Sequence, residues 1–177
     1  YSDSTPDVTY GYDRRGRQTT ITAGGITTTR AYNAAGQLTT ESSSGGSLNG
    51  LSITNGYDEY LRRTNLAALN GSTPLTRSAF DYDSASRLAT VTDLSPGTPH
   101  SAQYTYLANS PLVGQITFAT NGTTVMTTIK GYDALNRLTN ISTLNAQPST
   151  LNSSSYAYNS ASQRTSLTNA DTSRWVY

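Results

Sequence analysis

The chain has 177 residues, a net charge of +1, a pI near 8.1 and a mean hydropathy of −0.49. The lack of a basic stripe argues against nucleic acid, the lack of cysteine removes disulfides, thiolate metal sites and thiol nucleophiles, and no run of about 18 apolar residues offers a membrane-spanning helix. With 34% hydrophobic and 13% charged residues, and with 13 Tyr among abundant Thr, Ser, Asn and Gly, the composition favours half-buried strands over disorder.

Along the chain, the first element is a strand ending in Tyr10-Gly11-Tyr12 and followed by Asp13. Residues two apart share a strand face, so the two rings form an aromatic pair. The aspartate can turn the chain by accepting a hydrogen bond from the backbone two residues on. A second strand leaves through Gly16, Arg17 and Thr19 to Ile21, and Gly24-Gly25 offers the next turn. Tyr32-Asn33 then precedes Gly36 and Thr39, and Ser44-Gly45-Gly46-Ser47 reads as a longer loop. Tyr57-Asp58 precedes Arg62 and Thr64. Leu61 to Leu69 admits a helical reading, but Asn65 and the alternating flanks favour strand. Asn70-Gly71 is a hairpin signal. Phe80 and Tyr82 pair before Asp83 and Arg87, and Leu94 to Pro99 reads as a loop. Tyr104 and Tyr106 precede Leu107, in the copy that keeps least of the pattern. Asn121-Gly122 predicts a two-residue hairpin pairing Thr120 with Thr123, Phe118 with Val125 and Ile116 with Thr127. Tyr132-Asp133 precedes Asn136 and Arg137, and Tyr156 and Tyr158 pair before Asn159. No stretch reads as a convincing helix.

The tyrosines at 12, 32, 57, 82, 106, 132 and 158 are 20, 25, 25, 24, 26 and 26 residues apart. A period in this range marks a repeat architecture. Residues 1–177 therefore read as one repeat region of about seven two-strand units, with no separate second domain. The fifth, seventh and ninth positions after each tyrosine share parity, which puts Arg, Thr and an aliphatic residue on one face and Leu38, Leu88 and Leu138 on the other. Either both faces carry apolar residues, or a bulge re-aims one set. Where glycine is replaced by Leu61, Ser86, Ser110 or Ser162, a different turn is expected. The chain opens on Tyr1-Ser2-Asp3 and stops on Trp175-Val176-Tyr177, which fits a segment of a longer protein.

Tyr12-Asp13-Arg14-Arg15-Gly16-Arg17 and Tyr132-Asp133-Ala134-Leu135-Asn136-Arg137 resemble the YD repeat of the RHS superfamily. That superfamily includes bacterial polymorphic toxins, toxin-complex C-type subunits, wall-associated proteins and teneurins. The resemblance covers essentially the whole chain. It implies an all-β fold of tandem hairpins in a long curled antiparallel sheet, part of a spiral shell that encloses a C-terminal toxin in bacteria. It also implies a secreted or cell-surface location. The family's shell-closing motif contains Asp-Pro, and no proline follows an aspartate here, so plug, self-cleavage site and toxin are expected outside this segment.

Chemistry is scarce. His100 is the one histidine and reads as an exposed loop residue rather than a triad member. Asp81 with Asp83, and Asp58 with Glu59, could pair for acid–base work or Ca²⁺, but Asp83 and Asp58 are turn residues. The expectation is a non-catalytic scaffold with no cofactor and no metal. The partners expected are flanking repeats or other copies at sheet edges, an enclosed toxin domain, and in alternative readings glycans on an adhesin or like copies in a fibre. Tyr12, Asp13, Gly16, Arg17, Tyr32, Asn33, Gly36, Tyr57, Asp58, Arg62, Tyr82, Asp83, Arg87, Tyr106, Tyr132, Asp133, Asn136, Arg137, Tyr158 and Asn159 are the expected structural positions.

Overall fold

The computed structural model describes residues 5–177, so the opening Tyr1-Ser2-Asp3 lies outside the described residues. It divides into two compact units, one running to Phe80 and including Asp93–Gly97, the other comprising Asp81–Thr92 and Thr98–Tyr177. The first is built from β1 (Val8–Tyr12), β2 (Gln18–Ala23), β3 (Ile26–Tyr32), β4 (Leu38–Ser44), β5 (Leu51–Tyr57), β6 (Arg63–Asn70) and most of β7 (Thr73–Tyr82). The second is built from most of β8 (Leu88–Asp93), β9 (His100–Tyr106), β10 (Val113–Thr120), β11 (Thr123–Tyr132), β12 (Leu138–Asn145), β13 (Thr150–Tyr158), β14 (Arg164–Asn169) and β15 (Arg174–Val176). In each unit, neighbours in the chain are antiparallel neighbours in the sheet. Leu61 to Leu69 lies in strand, apart from its turn residues, and the longer loop after β4 holds a single 3-10 turn at Gly46–Leu48.

A meander places alternate connections on opposite borders. In each unit the tyrosine loops share one border. The other border carries Gly24-Gly25, the Gly45–Gly50 loop and Asn70-Gly71 in the first unit, and Asn121-Gly122, Asn145–Ser149 and Asn169–Ser173 in the second.

Among the described residues no hydrophobic side chain is buried, and Ser166 alone falls in the buried class. Ordinary domains hide the apolar face of a sheet under a second layer. Among the described residues no second layer packs on the strands of either unit, and long side chains cover each other laterally instead. Arg30, Glu41, Ile53 and Ala68 form one such row across β3 to β6, with Arg30 Nε 2.7 Å from Glu41 Oε2.

Two register features differ from expectation. Thr120 pairs with Thr123, but Phe118 pairs with Met126 and Ile116 with Thr128, because Val125 is the extra residue of a bulge. Leu75 plays the same part beyond Asn70-Gly71, whereas the Gly24-Gly25 hairpin is unbulged. The second feature recurs in every unit whose register is resolved. Tyr12 pairs with Gln18 and Gly11 with Thr20, so Thr19 is left over; Thr39, Thr64, Thr139 and Thr165 are left over in the same way, and Gly114 in the Tyr106 unit. The threonine seven after the tyrosine is thus the bulge residue. Strict parity across positions five, seven and nine does not hold, because a bulge opposes two residues to one and resets the alternation.

Candidate functional site: a ladder of tyrosine, arginine and aspartate

The repeat turn is a five-residue loop held mainly by one side chain. In the first unit the Asp13 N–H donates to the Arg17 carbonyl (2.9 Å) and the Gly16 N–H to the Asp13 carbonyl (3.0 Å). Asp13 Oδ1 accepts the amides of Arg15 (2.8 Å) and Arg17 (3.0 Å). Its other oxygen, Oδ2, takes the Arg17 guanidinium through both Nε and Nη2 at 2.7 Å. The same set recurs at Asp58–Arg62 and Asp83–Arg87, and at Asp133–Arg137 with Oδ2 held through Nε. One oxygen folds the backbone, and the other orients a cation.

Where asparagine replaces aspartate, glutamine replaces arginine. Asn33 Oδ1 accepts the Gln37 amide (2.9 Å), and its Nδ2 donates to Gln37 Oε1 (3.0 Å); Asn159 and Gln163 do the same at 3.0 and 2.8 Å. An amide NH₂ has no lone pair for a guanidinium, so each Asx selects its own partner. This pairing was visible in the sequence as Asp with Arg and Asn with Gln four residues on, in all six copies that keep an Asx.

The residue before the arginine or glutamine is left-handed in every one of those six copies: Gly16 (φ 75°), Gly36 (87°), Leu61 (63°), Ser86 (60°), Asn136 (61°) and Ser162 (61°). The glycine-poor copies therefore turn as the others do. The Asx bonds and the Tyr-side pairing fix the loop, and the non-glycine residues accept the strain. The Tyr106 unit departs more. It lacks both Asx and Arg, and a loop one residue longer closes from the Leu107 N–H to the Leu112 carbonyl (2.9 Å), with Ser110 Oγ accepting the Leu112 amide (3.1 Å). On the opposite border Asn169 builds the same five-residue loop with no tyrosine before it, and Asn145 builds a close relative.

Each loop also grips the next repeat. The Tyr32 hydroxyl donates to the Gln18 carbonyl (2.8 Å), Tyr57 to Leu38 (3.0 Å), Tyr106 to Leu88 (2.8 Å), Tyr132 to Val113 (3.0 Å) and Tyr158 to Leu138 (2.8 Å). Each acceptor is the first residue of the strand immediately before the tyrosine's own. Over three of these rings lies the preceding guanidinium: Arg17 is 4.6 Å from the Tyr32 centroid, Arg87 4.1 Å from Tyr106 and Arg137 4.7 Å from Tyr158. The same arginines donate to the next loop's backbone, Arg17 to the Asn33 carbonyl (3.3 Å), Arg87 to Ser110 (2.6 Å) and Arg137 to Asn159 (3.1 Å). Gln37 reaches the Leu61 carbonyl (2.8 Å). A cation over an aromatic ring is worth about 0.5–1 kcal/mol at such sites, and a hydrogen bond about as much again.

The loop carboxylates are held below the usual range. At Asp13, Asp83 and Asp133 the arginine backbone amide is the leading cause, working against partial desolvation and helped by the guanidinium. At Asp58 desolvation is the largest influence and raises the value, but the Arg62 side chain and amides outweigh it.

Residues 12–48 match the RHS Repeat family model. The match covers about a fifth of the chain. The matched stretch holds the first two tyrosine loops, and the later loops share their bonding. Among solved structures, this chain is similar to a chain of the TcdB2-TccC3-TEV crystal structure over 92% of its length, with 12% identity and a TM-score of 0.55. It is similar to a chain of the Photorhabdus luminescens Tc holotoxin pore over 96%, with 11% identity and a TM-score of 0.56. The likeness is one of fold. This chain spans only 11% and 12% of the length of those two chains. No curated protein sequence matches it significantly.

The other candidates stand apart from the ladder. His100 is exposed, with Nδ1 3.0 Å from Thr120 Oγ1. Asp81 is exposed too, while Asp83 is engaged by Arg87. Among the described residues no three His, Cys, Asp or Glu side chains cluster as a metal site, and no helix is long and apolar enough to cross a membrane.

Proposed function

We propose that the chain is a wall segment of an RHS shell, one continuous repeat region over residues 1–177 whose parent protein encloses a C-terminal toxin or effector and is secreted or displayed at the surface. The carrying observation is the ladder. Its polar and charged groups are spent on joining one repeat to the next, as Asp133 holds Arg137 and Arg137 holds Tyr158 and Asn159. We read Tyr12, Asp13, Arg17 and their counterparts as structural residues, and the chain as non-catalytic. The uncovered faces also suit a wall, since a closed shell would shield the inner face from water.

Limited proteolysis of the intact parent protein tests this reading. The C-terminal segment should resist digestion in the native protein and be cut when ladder arginines are replaced. Equal digestion of both would refute the shell reading. A fibre or an adhesin are the other readings carried by the repeat. Filaments in electron micrographs or saturable glycan binding would favour them.

A further inference from the structure

We propose that Asn121 is a self-modification site. In the folded chain it converts, without an enzyme, to an aspartyl or isoaspartyl residue through a cyclic imide formed with Gly122. The other Asn-Gly pairs, at residues 49–50, 55–56 and 70–71, are held back by their surroundings.

The reaction needs only water. The Gly122 amide nitrogen gives up its proton and attacks Cγ of Asn121. The new N–Cγ bond closes a five-membered ring, and the side-chain nitrogen takes up a proton and leaves as ammonia. Water then opens the imide. Opening at Cγ gives aspartate, and opening at the backbone carbonyl gives isoaspartate, which routes the chain through Cβ. The ring holds ψ of Asn121 at about −120°, the value of the first central residue of a type II′ turn. Asn121 (φ 50°) and Gly122 (φ 75°) are both left-handed, as a type I′ turn requires. The two turn types share a positive φ at the first position, so turning the 121–122 peptide alone reaches the ring geometry. The Asn121 N–H is anchored on the Pro99 carbonyl (3.0 Å), whereas the Gly122 N–H has no partner among the described residues. Nothing lies within 4 Å of where a Gly122 Cβ would stand, so the peptide has room to turn.

Each related site lacks one of these conditions. The Gly71 N–H donates to the Gly50 carbonyl (2.8 Å), and Asn70 belongs to β6. The Gly50 N–H donates to the Ser43 carbonyl (3.0 Å), while Asn49 has ψ 125° and its Oδ1 accepts the Gly45 amide (3.0 Å). Asn55-Gly56 lies inside β5, with the Asn65 side chain against Gly56. Two other asparagines among the described residues are left-handed, Asn109 (φ 53°) and Asn136 (φ 61°). The amide after each is engaged, Ser110 N–H by the Leu107 carbonyl (3.2 Å) and Arg137 N–H by Asp133 Oδ1 (3.0 Å). An N–H given to an oxygen resists the deprotonation that the attack requires.

The test is incubation of the full chain in mildly alkaline buffer made with heavy-oxygen water, followed by peptide mapping with tandem mass spectrometry. Heavy oxygen should enter residue 121 roughly fivefold faster than residues 49, 55 or 70, the difference made by one hydrogen bond on the attacking amide. In concentrated urea the four Asn-Gly pairs should react at similar rates, because they share the same dipeptide. Asn121→Gln, whose longer side chain would have to close a six-membered ring, should take up no label at 121. By NMR the aspartyl product should keep the Thr120–Thr123 pairing, and the isoaspartyl product should lose it, because the extra backbone carbon no longer fits a two-residue loop. The proposal is overturned if residue 70 or 49 is labelled as fast as 121 in the folded chain. It is also overturned if the folded chain takes no label at 121 under conditions that label it in urea. Persistence of the same rate differences in urea would overturn it too, since flanking sequence and not the turn would then set them.

Discussion

A single carboxylate does two jobs in each of the four aspartate loops, and the two can be separated by substitution. Asp133→Asn keeps the Oδ1 bonds to the amides of Leu135 and Arg137 but sets an NH₂ group against the Arg137 guanidinium. Arg137→Gln added to it rebuilds the pairing found at Asn33–Gln37. The double variant should melt at a higher temperature than Asp133→Asn alone; a lower melting point would show that the side chains do not act as a pair. Leu61 offers a second test. It holds φ at 63° and is 55% exposed, so glycine there should stabilise the chain by about 1 kcal/mol in urea titration. Gly16→Ala should cost a similar amount, since nothing lies within 4 Å of the added methyl and the strain is purely that of φ 75°. Protonation gives a third. Asp13, Asp58, Asp83 and Asp133 are held below 3.8, so what they contribute is complete above that value and is lost as pH falls through their lowered folded values. Melting temperature should be flat from neutral pH to about 5 and fall below 3.8. A fall that begins at pH 6 would point to another group.

At the scale of strands and turns, most of the architecture was legible. Tyrosine spacing gave the unit length, Asx gave the border turns, and Gly24-Gly25, Asn70-Gly71 and Asn121-Gly122 gave three of the opposite ones. What escaped was register. A bulge changes which residues oppose each other without changing composition, so Val125 and Leu75 looked like ordinary strand residues. The recurrent threonine carried a signal, since a residue fixed at the same offset in five units has a fixed local role, but that role was read as a face position. The five-residue loop at Asn169 was missed because it lacks a tyrosine. The Asp–Arg and Asn–Gln pairs escaped because each position was read alone. Deleting Val125 should leave Phe118 opposite Met126 and Ala119 opposite Thr124, pairs the bulge already sets. Cross-strand NOEs between Phe118 and Met126 would persist. Their loss would mean that the bulge, not the turn, fixes this register.

For the molecule as a whole, the energetics differ from those of an ordinary domain. With no hydrophobic side chain buried among the described residues, little apolar surface is hidden on folding beyond lateral contacts between neighbouring strands. The usual per-residue rule gives a heat-capacity change of roughly 2.1–2.7 kcal/mol/K for 177 residues. Calorimetry should return a smaller value and a broad transition, because repeats that touch only their neighbours can open one at a time. A sharp transition with the full heat-capacity change would mean that the faces are covered in solution, by another layer or another copy.

The separation of the two borders has a further consequence for how such a chain can vary. On the tyrosine border, six loops have the same length because an Asx, a left-handed residue and a paired side chain must all fit. On the far border, connections run from the two residues of Gly24-Gly25 to the six of Gly45–Gly50. Mutation can therefore lengthen, shorten or decorate the far connections without disturbing the rungs, and foreign peptides could be grafted there while the frame keeps its pitch.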